Sequence, residues 1–461
     1  MQTEKIDLHE SNTFINNPGG KKILFACVPA DGHFSPLTGI AKHLQSIGYD
    51  VRWYSSAAYK DRLEKLQIPH YPFDKALEVT GDTADEIFPA RRHIKSPVKK
   101  LNYDIVNFFV ERAPEYYADI INIYRNFPFD LVIADVAFTA IPFITSLMKI
   151  PVIGIGVFPL TEKSKDLAPA GLAITPTHSF PGRIKQKVLH FLADEVLFKK
   201  SNKVMWQLLE RHGVDHNHLT IFDLLVKKST LLLQSGTPGF EYKRSDLGKN
   251  IRFIGPLLPF SSGAKKTEWF DKRLNQYKNV VVVTQGTVER DVEKILVPAL
   301  EAFKDTDTLV IATTGGSQTK MLQLRFPYKN ILIEDFIPFA DVMPYADVYI
   351  TNGGYGGVML GIENRLPLVV AGVHEGKNEI NARVGYFKLG VNLKTETPSP
   401  AQIKNAVNEV LNDGSYKTHV ENLSKEFRDY DTYELCAAYV KELLQPATVD
   451  KSPRFLNVIN N

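Results

Sequence analysis

The chain has 461 residues, 44% hydrophobic and 23% charged, the balance of an ordinary globular protein, which excludes a disordered, fibrous or disulfide-stapled one. Lys and Arg number 55 against 52 Asp and Glu, so a surplus of +3 gives no electrostatic reason to expect nucleic acid or an anionic membrane as a partner. The two cysteines, Cys27 and Cys436, form neither a metal spacing nor a disulfide framework and suit a reducing cytosol.

The polar N-terminus, MQTEKIDLHE, lacks the basic region and apolar core of a signal peptide. The most apolar stretch, residues 131–160, is interrupted by Asp135, Pro142 and Lys149, so no membrane-spanning helix is expected. The expectation is a cytoplasmic protein with flexible tails at 1–20 and 445–461.

Residues 22–28 (KILFACV) read as a buried parallel strand. The loop PADGHF follows, then Ser35 and Pro36 as helix cap and first turn, with Leu37, Ile40, Ala41 and Leu44 as the apolar stripe and Gly48 as the stop. Strands are expected at 49–55, 130–134 and 152–156, with helices at 101–124 and 138–148 between them. Residues 161–227 lack strand alternation and read as an insertion over the first half. Strands at 230–234 and 251–255 complete that half, and FSSGAKKTE (260–268) is a polar linker by composition. A second alternation follows, with strands at 279–284, 308–313, 331–334, 347–351 and 368–371. Its helices are expected at 292–303, 358–363, 378–387 and 400–411, before a helical tail at 416–444. The sum is an α/β chain of two doubly wound halves, 21–259 and 269–444.

The strongest local signal is Asn352-Gly353-Gly354-Tyr355-Gly356-Gly357, between an apolar strand and a helix. Glycines there let the backbone approach a ligand, and a helix start offers unpaired N–H groups, so the segment reads as a phosphate cradle or as a plain tight turn. It is neither the dinucleotide fingerprint nor a Walker loop. Gln285-Gly286-Thr287 also follows a strand, and Thr287 suits a phosphate donor or an ordinary cap. In the first half, His33 follows the first strand and Asp135 ends another. A carboxylate beside an imidazole makes a general base, although a loop histidine also serves as a structural donor. Asp305-Thr306-Asp307 precedes a strand and Asp429-Tyr430-Asp431 lies among helices, so both read as solvated turns. His374-Glu375 has no second histidine for a zinc helix, and no G-x-S-x-G occurs.

The segments VPADGHFSPLTGIAKHLQSIGYDV (28–51) and IEDFIPFADVMPYADVYITNGGYGGVMLGIENRLPLVVAGVHEGKNEINARV (333–384) resemble the opening and the donor signature of the family 1 UDP-glycosyltransferase superfamily. The bacterial natural-product enzymes look most similar. The resemblance implies the GT-B fold, two Rossmann-like domains facing a central cleft, the first for the acceptor and the second for the nucleotide sugar. It implies His33 as the base that deprotonates the acceptor and Asp135 as its partner. Gly32, in the same motif as His33, is implied as a donor contact. For the donor it implies Gly286 and Thr287 at the diphosphate, Phe336 stacked on uracil and Ile337 contacting the base. Asn352 stands where most members carry histidine, with Gly353, Gly354, Gly356 and Gly357 at the helix start. Leu360 occupies the place of the ribose-binding glutamate. Lys377 and Asn378 occupy the place of the sugar-binding pair, with Glu375 available to that role. The reaction implied is metal-free and inverting, with a UDP-sugar as co-substrate, no other cofactor and a monomer or homodimer.

The insertion is rich in apolar side chains, namely Phe180, Leu189, Phe191, Leu192, Leu197, Phe198, Trp206 and Phe222, which favours a small lipophilic acceptor of flavonoid, macrolide or terpenoid type. The rival readings are a lipid glycosyltransferase served by a basic helix at 183–203, a nucleotide-sugar epimerase, and a non-catalytic sugar-nucleotide binding protein.

Overall fold

A computed structural model describes residues 20–80, 83–177, 179–258, 269–286 and 289–445. The expected linker, Thr287, and all but the edges of both expected tails lie outside the described residues.

Continuous apolar runs build the sheets. In the first half β1 (Lys22–Ala26), β4 (Leu131–Asp135), β5 (Val152–Gly156) and β6 (Leu231–Gln234) are buried along almost their whole length. That is the pattern of strands covered on both faces. With β2 (Asp50–Ser55), β3 (His70–Pro72) and β7 (Ile251–Phe253) they form a seven-stranded parallel sheet in the order β3-β2-β1-β4-β5-β6-β7. A second parallel sheet contains β8 (Asn279–Thr284), β9 (Thr308–Thr313), β10 (Ile331–Glu334), β11 (Val348–Thr351), β12 (Leu368–Val370) and β13 (Gly390–Asn392). Its order is β10-β9-β8-β11-β12-β13. Both orders reverse beside their first strand, the doubly wound pattern. Sequence reading misses β3 and β13 because three-residue edge strands carry no apolar run of their own.

Seven helices matter below: α1 (Asp31–Ser46), α2 (Pro97–Asp104), α3 (Phe180–Leu192), α4 (Lys199–Arg211), α5 (Tyr355–Glu363), α6 (Lys377–Tyr386) and α7 (Thr432–Leu444). α1 starts four residues before the expected cap at Ser35. Asp31 supplies the acidic first turn and is held by Arg62 at 2.6 Å, so a carboxylate at the positive helix end replaces the serine cap. His33 therefore sits in a first helical turn and not in a loop.

The expected boundary at 444 also needs correction. Cys436, Ala437, Tyr439 and Val440 of α7 belong to the core formed by Ile23, Phe25, Leu37 and Ile40, so the last helix crosses back to the first half. α1 makes room for it at Gly39, where an added Cβ would lie 2.3 Å from the Tyr433 hydroxyl.

Candidate active site

β1 and β4 are neighbours at the point where the first sheet's order reverses, and ligands of such sheets bind in the region beyond the strands' carboxyl ends. α1 brings His33 into it and β4 ends on Asp135. His33 Nδ1 lies 2.8 Å from Asp135 Oδ1. Asp135 is fully buried, whereas the His33 side chain keeps 21% of its surface. Asp135 Oδ2 accepts the Val28 N–H and Oδ1 the Ala137 N–H, both at 2.9 Å. Two backbone donors hold the carboxylate as an acceptor, so Nδ1 is the donor of the pair, which in the neutral imidazole leaves the lone pair on Nε2. Nε2 has no hydrogen-bond partner among the described residues. The Phe158 ring stands edge-on to the imidazole at 5.9 Å. Behind the pair, burial and then Asp135 push the Cys27 thiol well above its ordinary value. A Cβ added to Gly32 would meet nothing within 4 Å, so this side of the helix start is open.

The second sheet reverses between β8 and β11, and the loops after these two strands are tied together. The Asn352 side-chain amide donates to the Gln285 carbonyl, and its oxygen accepts the Gly354 N–H at 3.2 Å. Gly286 and Gly353 have φ of +81° and +82°. A Cβ at Gly353 would lie 1.8 Å from Asn381 Oδ1, so this turn requires glycine. The first helical bond of α5 runs from the Val358 N–H to the Gly354 carbonyl, so the amides of Tyr355, Gly356 and Gly357 have no acceptor within the helix. A Cβ at Gly356 would meet nothing within 4 Å, and this open face gives those amides access to an anion.

Phe336 follows β10 with 75% of its surface exposed, while Ile337 is buried. Beyond β12, Glu375 has a φ of +56° and its carboxylate pairs with Lys377 Nζ at 2.5 Å. Asn378 is occupied elsewhere, donating to the Gly171 carbonyl of the first half at 2.8 Å. Leu360 packs against the apolar core. Among the described residues no three His, Cys, Asp or Glu side chains converge as metal ligands.

Several residues of this region are not singled out by the sequence. Glu379 accepts the N–H groups of Gly171 and Ala173 at 2.9 and 2.6 Å. The Tyr355 hydroxyl donates to the Ser235 carbonyl at 2.6 Å. Arg383 Nη2 meets Glu241 Oε2 at 2.9 Å with both side chains nearly excluded from solvent. Each contact joins the two halves, and no local pattern announces a partner more than 100 residues away. The insertion splits the expected aromatic lining. Phe198 is core, Leu197 and Phe222 pack against it, and Trp206 donates to the Leu219 carbonyl at 2.7 Å. Phe191 and Leu192 face outward. The Phe180 side chain lies outside the described residues.

The sequence pattern of the family described as "UDP-glucoronosyl and UDP-glucosyl transferase" matches residues 89–438. The chain is 32% identical over 413 residues to 4'-demethylrebeccamycin synthase of Lentzea aerocolonigenes, covering 89% of this chain and 97% of that protein. It is 30% identical over 461 residues to UDP-glucosyltransferase 1 of Beauveria bassiana, covering 93% and 96%. Among solved structures, the kitacinnamycin glycotransferase superposes with a TM-score of 0.71 at 18% identity, covering 92% of this chain and 99% of that one. The calicheamicin glycosyltransferase CalG4 superposes with a TM-score of 0.69 at 20% identity, covering 92% and 98%. The likeness gives the fold, GT-B with two Rossmann-like domains. The chain belongs to the UDP-glucuronosyl and UDP-glucosyl transferase family, whose members move a hexose from a nucleotide-sugar donor.

Proposed function

We propose that the enzyme moves glucose, with inversion, from UDP-glucose to a hydroxyl of a small lipophilic acceptor. The observation that carries this reading is the His33–Asp135 pair, with Nδ1 held and Nε2 free at the crevice. In this mechanism Nε2 takes the acceptor proton as the oxygen attacks the anomeric carbon in line. Asp135 holds the tautomer and stabilises the imidazolium. The leaving diphosphate gathers charge at the amides of residues 355–357, a preorganised anion site that works without a metal. The first half takes the acceptor and the second the nucleotide sugar. Phe336 stacks on the base, and Glu375 and Lys377 reach the sugar. The relatives' printed names, a UDP-glucosyltransferase and a rebeccamycin-type synthase, favour UDP-glucose and a natural-product acceptor. The reading includes a cytoplasmic location and a monomer or homodimer.

The test is His33→Ala with UDP-glucose and a panel of flavonoid, macrolide and terpenoid alcohols. Turnover falls by about 10²–10⁴-fold while UDP affinity stays within twofold, because the lost group is a general base and not a donor ligand. Asp135→Asn lowers kcat less than His33→Ala does. Wild-type activity persists in EDTA. Near wild-type turnover in His33→Ala removes the base from His33, and activity lost in EDTA and restored only by Mg²⁺ or Mn²⁺ removes the metal-free mechanism.

A further inference from the structure

Helix α3 and the turn after it leave an apolar stripe bare. Ile184, Val188, Phe191, Leu192 and Val196 are 46–69% exposed. Their spacing gathers them on one side of the helix, while Gln186 and Ala193, half a turn away, are buried against the body of the protein. α2 ends beside this stripe, where Asn102 donates to the Leu197 carbonyl at 2.5 Å, and it adds Val98 and Leu101, about half exposed. Seven exposed apolar side chains on two adjoining helices form the kind of contiguous patch that marks an interaction surface.

The charge around the patch says what covers it. Residues 92–100 and 183–203 hold ten Lys and Arg against two acidic residues. Both acids are already paired, Asp194 with Lys163 at 2.5 Å and Glu195 with Lys199 at 3.5 Å. These two segments together therefore exceed the +3 of the entire chain, and the remainder of the molecule is net acidic. The near-neutral total conceals a local basic surface.

We propose that this face docks on an anionic phospholipid bilayer. The stripe enters the boundary between headgroups and acyl chains, and Lys185, Lys187, Lys199 and Lys200 lie on the lipid phosphates. A nucleic acid would use the lysines but not a bare aliphatic row, and an apolar protein partner would not need the basic surround. Docking is peripheral, since no helix among the described residues is long and apolar enough to cross a membrane. One consequence rests on the acceptor reading above: a lipophilic alcohol dissolved in the bilayer would reach the first half by lateral diffusion.

The full chain is sedimented with vesicles of phosphatidylcholine alone and of phosphatidylcholine with about 30 mol % phosphatidylglycerol. It pellets with the anionic vesicles at low salt, stays in solution with the neutral ones, and is released by about 0.5 M NaCl. The variants Ile184→Ser/Val188→Ser/Val196→Ser and Lys185→Glu/Lys187→Glu each lower the partition by about tenfold or more at an unchanged melting temperature. If either variant melts early, hydrogen exchange of the wild type with vesicles decides, with slowed exchange at 180–197 supporting docking and slowed exchange elsewhere overturning it. No pelleting, pelleting indifferent to both variants, or a dimer in solution that the serine variant dissociates also overturns the proposal. Transfer to a water-soluble acceptor, assayed without vesicles, keeps failure of docking separate from failure of the glucosyl-transfer reading.

Discussion

Cys27 and Cys436 are both fully buried, and burial holds both thiols in the neutral form, with Asp135 adding to the effect at Cys27. A thiolate is the reactive species, so neither residue should titrate with a thiol reagent in the native enzyme at about pH 8.5, while both react in denaturant. One rapidly modified thiol per native chain would contradict the burial. The same shift links stability to pH. Below about pH 8.5 the thiols are protonated in folded and unfolded chains alike and cost nothing. As pH rises further the unfolded chain releases these protons and the folded one retains them, so stability falls by up to about 1.4 kcal/mol per pH unit for each group. Burial raises Tyr54, Tyr116 and Tyr355 likewise, which steepens the loss above about pH 10. The melting temperature, followed from pH 7 to 10, should drop with increasing slope.

At the scale of elements, the glycine loop is a packed object as well as a cradle. Gly353→Ala forces a β-carbon onto Asn381 and an unfavourable positive φ, together costing about 2–4 kcal/mol. Asn352→Ala cuts the tie to Gln285 and the bond to the Gly354 amide, so it should raise the donor KM and lower kcat by releasing both loops at once. UDP-glucose kinetics and melting curves check the pair, and an unchanged kcat/KM in Asn352→Ala would remove Asn352 from the site. The strands that lead into these loops, Asn279–Thr284 and Val348–Thr351, are legible because each carries an apolar run. His33, Asp135 and the glycine loop were legible because turn chemistry and a sharp strand end are local. The start of α1 was misplaced because Ser35-Pro36 carries a strong local cap signal, while the pairing of Asp31 with Arg62 is a tertiary contact. The contacts that Asn378 and Glu379 make across the halves are not legible for the same reason, since their partners at Gly171 and Ala173 are distant in sequence.

At the scale of the molecule, the two halves are joined by a buried charge pair. Burial works against the Arg383 guanidinium, but Glu241, Tyr242 and Glu379 together outweigh it and hold the group charged above its ordinary range. Glu241 also lies 3.9 Å from the buried Arg244, so Glu241→Ala strands two guanidiniums and should cost about 3–5 kcal/mol, whereas Glu241→Leu combined with Arg383→Met should recover only the part owed to Arg383. A double-mutant cycle of unfolding free energies measures the coupling, and a single variant that melts like wild type would show that the pair contributes nothing. α7 adds a second attachment by returning to α1 and β1 after the second sheet is complete. The first half is thus not a continuous piece of chain. A fragment ending near residue 258 would expose Ile23, Phe25 and Ile40, and one starting near residue 269 would carry Cys436, Tyr439 and Val440 with nowhere to bury them. Two such fragments, each aggregation-prone when made alone, should become soluble when made together, because the apolar helix at the end of one supplies the missing floor of the other.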